Sequence, residues 1–160
     1  MENLNTTPNQ PKKIKLDFKD SKYATGRRKR SIAKVWVKKG SGNIHVNGLK
    51  MSEYFKRPVH QIIVSRPLEI TEVASSYDVK CSVSGGGLSG QAGAIILGIS
   101  KALISHDESL KKNLKRDKLT TRDSRVVERK KYGHKKARRS FRFSKRKKLK
   151  LNNNKDQCNN

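Results

Sequence analysis

The sequence is poor in acids, apolar residues and cysteine, and each shortage excludes something. Only 13 of its 160 residues are Asp or Glu, against 39 Lys or Arg, so the net charge is +26. A chain so charged repels itself unless a polyanion offsets the charge. Hydrophobic residues make up 32% of it, which is low for a protein compact throughout, so part of the chain is expected to fold only around a partner or not at all. No apolar run approaches the roughly 18 residues of a membrane span, which argues against a transmembrane protein. Two cysteines, Cys81 and Cys158, cannot build a disulfide scaffold and point to a reducing compartment. Nucleic acid is the leading partner, with an anionic membrane surface as the rival. The length fits one domain with a tail to spare.

What is there is unevenly distributed. Met1 to Pro11 is polar and Asn-rich without an apolar core, unlike a secretory signal. Glu2, Asp17 and Asp20, with no Arg before Arg27, also make it a poor transit peptide. Residues 1–22 are expected to form a solvated arm. Between Asn43 and Ile104 six bases face four acids, a net of +2; between Lys111 and Leu151 twenty bases face three acids, a net of +17. A near-neutral block followed by a cationic one predicts a folded body carrying a basic arm. The Asn-rich end, Asn152 to Asn160, is expected to be disordered.

The body reads as mixed strands and helix. Over Arg30 to Lys38, Ala33, Val35 and Val37 share one face of a strand, with Ile32, Lys34, Trp36 and Lys38 on the other. Gly40-Ser41-Gly42 signals a turn, after which Asn43 to Val46 is expected to return as a hairpin partner before Asn47-Gly48 turns again. Tyr77, Val79, Cys81 and Val83 alternate with polar residues as a half-buried strand, which makes Cys81 a buried structural thiol. Ala92, Ile95, Ile96, Ile99, Ala102 and Leu103 recur at helical spacing, predicting an amphipathic helix over Gln91 to Ile104.

Between that strand and that helix, Gly85, Gly87 and Gly90 spell G-x-G-x-x-G, the fingerprint of a dinucleotide-binding enzyme. The context fails. The fingerprint needs a second strand ending in an acid about 20 positions on, and Asp107 and Glu108 follow the helix directly. The physics survives: glycines permit close backbone approach, and free N–H groups at a helix start attract phosphate. Gly85, Gly86 and Gly87 therefore either receive a backbone phosphate of RNA or form a tight turn with no ligand. His45, His60, His106 and His134 are scattered without metal-ligand spacing. The acids sit beside bases, as in Arg122-Asp123 and Glu128-Arg129, which reads as charge pairing rather than acid–base catalysis. Neither an enzyme, a cofactor nor a metal is expected.

Two groups are placed to contact RNA. The first is Arg27-Arg28-Lys29-Arg30, entering the strand of Lys34, Trp36 and Lys38, where Trp36 either stacks on a base or packs within the protein. The second is Arg122 to Arg146, with Tyr132, Phe141 and Phe143 among Arg and Lys. Interleaved aromatics without a continuous apolar face favour RNA over membrane.

The run from Gly85 through Gly90-Gln91-Ala92-Gly93-Ala94 to Leu103 resembles the signature of small-subunit ribosomal protein nine, the universal S-nine family of bacterial and organellar type. Tyr23 to Lys29 resembles that family's opening strand, Thr121 to Gly133 its tail entry, and Phe143-Ser144-Lys145-Arg146 its end. The resemblance implies an α/β sandwich like the second domain of ribosomal protein five, with a left-handed crossover, over residues 23–121. A long extended basic tail follows over 122–146. It implies a structural constituent of the small subunit that binds rRNA in the subunit head, beside neighbouring head proteins. Candidate rRNA contacts are Arg27, Arg28, Lys29, Arg30, Gly85, Gly86, Gly87, Arg122, Arg125, Arg129, Lys130, Lys131, Lys135, Lys136, Arg138 and Arg139. Ser144, Lys145 and Arg146 are implied to lie near the anticodon stem-loop of the peptidyl-site tRNA.

One departure matters: family members usually stop at the Arg matched by Arg146, whereas this chain continues for 14 residues, basic and then Asn-rich, over 147–160. Rich Lys and Asn usage and this extension favour the mitochondrial matrix over a bacterial cytoplasm. The alternative from another class is a free chromatin-type or regulatory nucleic-acid-binding protein, which needs a dimer interface or a recognition helix.

Overall fold

The computed structural model describes residues 20–142, which divide into two compact units after Val126. The first unit is built on a five-stranded mixed sheet. Strands β1 (Lys22–Arg28) and β2 (Ser31–Lys39) form an antiparallel hairpin closed by Lys29 and Arg30, with Lys29 at φ 53°. β3 (Ile44–Val46) and β4 (Leu49–Lys50) form a second hairpin through Asn47-Gly48, both at positive φ as the sequence signal requires. Two helices, α1 (Met51–Tyr54) and α2 (Pro58–Ile70), lead to β5 (Tyr77–Ser84). Then come α3 (Leu88–His106), a single 3₁₀ turn, and α4 (Lys111–Arg116).

The sheet order is β1-β2-β5-β3-β4. The expected hairpin between β2 and the segment after Gly42 is not formed. β5 inserts between them, antiparallel to β2 over eight residue pairs and parallel to β3. The reason is matching apolar length: Val79, Cys81 and Val83 continue the buried rows of Val37, Val35 and Ala33, whereas β3 has three residues to offer. Asp78 fixes the divergence, its Oδ1 accepting the Ser41 N–H at 3.0 Å and the Asn43 N–H at 2.8 Å.

The helices cover one face of the sheet. α3 begins three residues earlier than its apolar spacing predicts and buries ten residues, because β1, β2 and α2 press on it from different sides. By length and composition it could cross a bilayer; here its apolar surface is spent on the sheet and on α2 instead. Gly26 makes the closest approach, since a Cβ there would enter the space of the Ala94 carbonyl and stand 2.6 Å from the Gly98 nitrogen. Gly98 is the counterpart, with Val35 Cγ2 2.5 Å from where its Cβ would be. Small residues thus let strand and helix backbones touch, and Val64, Leu68, Ile95, Ile99 and Leu103 fill the remaining core.

Nothing in the sequence periodicity announced α2. It carries Pro58 at its start, where a missing N–H costs nothing, and Pro67 in its interior. It ends with Glu72 at φ 56° and a Val73 N–H to Leu68 carbonyl bond of 3.1 Å. α4 ends the same way, with Lys118 at φ 57° and a Leu119 N–H to Leu114 carbonyl bond of 3.0 Å. That second cap turns the chain toward Thr121 and Arg122.

The second unit, described over 127–142, is extended to Lys131 and then folds back. Gly133 sits at φ 71°, His134 bridges to Ser140, and the Lys135 N–H donates to the Arg139 carbonyl at 2.7 Å.

Candidate nucleic-acid interface

The glycine loop and the basic hairpin, more than fifty residues apart in sequence, are neighbours. Gly85 and Gly86 take φ 72° and 62°, a region that side chains disfavour. A Cβ on Gly85 would stand 2.6 Å from the Arg30 carbonyl, and one on Gly86 would collide with Ser31 Oγ. Ser31 itself donates to the Gly85 carbonyl at 3.1 Å. Two of the three glycines are therefore required by packing against the hairpin tip. Gly87 is different: it has φ −117°, an ordinary value, and open space where a Cβ would be. It is the N-cap of α3, and no side chain caps the first turn there.

Arg28 runs from the hairpin over α3. A Cβ on Gly93 would meet its aliphatic stem and lie 2.6 Å from its Nη1. Its Nη2 pairs with Asp123 at 3.4 Å, while its buried Nε has no hydrogen-bond partner among the described residues. Asp123 also receives Arg125, whose Nε and Nη2 donate at 3.0 and 2.9 Å. These hydrogen bonds, with the Arg28 charge behind them, hold the Asp123 carboxyl well below the usual carboxylate range. The expected pairing of Asp123 with adjacent Arg122 is not observed. Successive side chains on an extended segment point to opposite sides, so the partner is Arg125, two residues on.

That junction leaves Arg122 outward, and topology adds a residue that sequence reasoning missed. Arg27, Lys101 and Arg122 line an open recess of about 230 Å³ with Thr25 and Leu97. An adjoining recess of about 120 Å³ is lined by Arg27, Arg28 and Lys118, with Asp123 as its acid. Lys101 is the only Lys or Arg in α3 and is exposed, a signal legible in hindsight.

The second unit is more cationic still: eight bases against Glu128 over 127–142. Glu128 pairs with Arg138 rather than its neighbour Arg129, through two bonds of 2.7 Å that lower its pKa and raise that of Arg138. Lys135 lies 5.5 Å from the centre of the Phe141 ring, and Tyr132 is fully exposed. Arg129, Lys130, Lys131, Lys136 and Arg139 are exposed and make no ion pair among the described residues. Ser144, Lys145 and Arg146 lie outside the described residues.

Among the described residues no group of His, Cys, Asp and Glu is disposed to hold a metal. Burial pushes the Cys81 thiol far above its ordinary pKa, as the packing of β5 predicts for a structural cysteine. Asp107, which follows α3 directly, lies at the end of the helix far from the glycine loop, where it accepts the Tyr77 hydroxyl at 2.8 Å.

A small α/β body with a basic, glycine-bearing edge and a basic arm is the build of a structural polyanion-binding protein. The family model described as ribosomal protein S9/S16 matches residues 26–146, and the chain belongs to that family. Members of that family are structural components of the small ribosomal subunit, so the chain takes a structural role there, with rRNA and other ribosomal components as its partners.

Proposed function

We propose that the edge running from the glycine loop to Lys101 docks on rRNA of the subunit head, with the basic arm continuing along the same RNA. The observation that carries this reading is the convergence of Arg27, Lys101 and Arg122 on one open recess. Three cations from a strand, a helix and the tail entry meet there with little carboxylate to neutralise them, an arrangement suited to RNA phosphates. Arg30, Lys29 and the open backbone at Gly87 extend the cationic edge. Arg125 and Arg138, each engaged by a carboxylate, serve to shape the arm and contact phosphate with their remaining donors.

At the end of the arm, Ser144, Lys145 and Arg146 approach the anticodon stem-loop of the peptidyl-site tRNA, a role that rests on the resemblance of this end to the family's. Lys and Asn usage and the residues after Arg146 favour a mitochondrial subunit over a bacterial one. A free regulatory DNA-binding protein fits less well. α3 is largely buried, and the outward side of α2 presents Val59, Ile62, Arg66 and Glu69 rather than a basic stripe.

Sedimentation after a high-salt wash tests the docking: the protein stays with the small subunit, and release into the soluble fraction would refute it. Truncation after Phe143 is expected to lower peptidyl-site tRNA affinity at normal subunit yield, and truncation after Arg146 to leave it unchanged. If removal of the last 14 residues alone lowers it, Lys147, Lys148 and Lys150 hold that role and not Arg146.

A further inference from the structure

The helices cover one face of the sheet, and the other face carries an aromatic pair framed by lysines. Residues paired directly across neighbouring strands point to the same side, so the register assembles that face in rows. One row reads Tyr23, Trp36, Lys80, His45 and Lys50 from β1 to β4; the next reads Thr25, Lys34 and Ser82. The Tyr23 and Trp36 rings lie 5.4 Å apart at 45°, and the Tyr23 hydroxyl is hydrogen-bonded to Thr25 Oγ1 at 2.9 Å. That bond holds the phenol along the strand, yet Tyr23 remains 50% exposed and Trp36 is only half-buried. Lys34 and Lys38 stand exposed on the same face. Its one acid, Asp78, is engaged by the backbone of Ser41 and Asn43.

From this face we infer a second RNA contact: an unpaired rRNA nucleotide stacks on Tyr23 and Trp36 while Lys34 and Lys38 hold its flanking phosphates. This rests on the rRNA-binding reading above and adds a site that the basic edge does not include. RNA offers both a π-face for the rings and anions for the lysines. A protein occupant would have to be acidic and at the same time present apolar surface to one aromatic pair.

Trp36 is the chain's only tryptophan, so its intrinsic fluorescence reports this site alone. The full-length protein is titrated with an unstructured adenosine oligoribonucleotide and, separately, with inorganic polyphosphate, with binding followed independently by anisotropy of the labelled ligand. Both are expected to bind in a salt-dependent way, and only the oligonucleotide to quench Trp36. Trp36→Leu should weaken oligonucleotide binding by about 5- to 150-fold, with Trp36→Phe restoring most of it and polyphosphate binding unchanged by either. RNA bound at full affinity by Trp36→Leu, without quenching in the wild type, overturns this inference and leaves the rRNA-binding reading standing. Failure to bind RNA at all sinks both. Protection of Trp36 from oxidative labelling in assembled subunits, read by mass spectrometry of its peptide, with no quenching of the free protein by RNA, would point to a neighbouring protein as occupant and likewise overturn the proposal.

Discussion

Gly86 and Gly87 are adjacent, yet alanine at each should do opposite things. At Gly86 the backbone sits at φ 62°, where a side chain costs about 1–2 kcal/mol. The new Cβ would also displace Ser31 Oγ from its 3.1 Å bond to the Gly85 carbonyl, worth about 1 kcal/mol. The unfolded chain loses freedom, returning about 0.4–1 kcal/mol, so Gly86→Ala should destabilise by about 2 kcal/mol. That corresponds to a melting temperature lower by about 8–16 °C for a unit of this size. At Gly87 the backbone angle suits any residue and the space is open. Alanine caps a helix less well than glycine, and the same gain from the unfolded state offsets the difference, so stability should change by less than about 0.5 kcal/mol. If a phosphate sits against the start of α3, however, the methyl group of Gly87→Ala would stand in its way and weaken rRNA binding roughly tenfold. Thermal unfolding of the free protein and filter binding to small-subunit rRNA separate the two effects. Wild-type rRNA affinity in Gly87→Ala would show that the loop is a turn with no ligand. Wild-type stability in Gly86→Ala would refute the packing argument itself.

Other perturbations test the scaffold that carries the interface. Ile99→Ala, in the fully buried centre of α3, should cost about 2–5 kcal/mol in urea unfolding. Glu72→Gly should stabilise by about 1 kcal/mol, because that residue caps α2 from the left-handed region without glycine. An NMR pH titration should find the Asp123 carboxyl still ionised where ordinary aspartates have protonated. Since its folded pKa is depressed, its stabilising contribution is fully present above the unfolded value near pH 3.9, declines as pH falls below it, and is gone once pH has passed through the lower folded value.

How much of this was legible in the residues follows from how locally each feature is determined. The buried faces of β2 and β5 and the body of α3 were readable because alternation and helical spacing are local patterns that mark a buried face whatever packs against it. The place of β3 was not: a turn signal says that the chain reverses, not that a strand thirty residues on will claim the same edge. α2 was missed because its two prolines mask a helix held by tertiary packing of Val64 and Leu68. Among the proposed interface residues, the contiguous basic run was evident, while its proximity to the glycine loop depended on the β1–β2 tip folding back onto the end of β5. Lys101 joined Arg27 only through the seating of α3 against β1. The ion pairs were misassigned because adjacency in sequence is not adjacency on an extended backbone.

The proposed joint binding of rRNA phosphates by Arg27, Lys101 and Arg122 is measured directly by its salt dependence. Binding to small-subunit rRNA is followed across ionic strength for the wild type and for a protein carrying Arg27→Gln, Lys101→Gln and Arg122→Gln. Each lost phosphate contact lowers the slope of log K against log salt by about 0.7–0.9, so the triple variant should show a slope smaller by about 2–2.7 with the fold intact. An unchanged slope in a folded triple variant would mean that the recess faces solvent in the subunit, and would contradict the account.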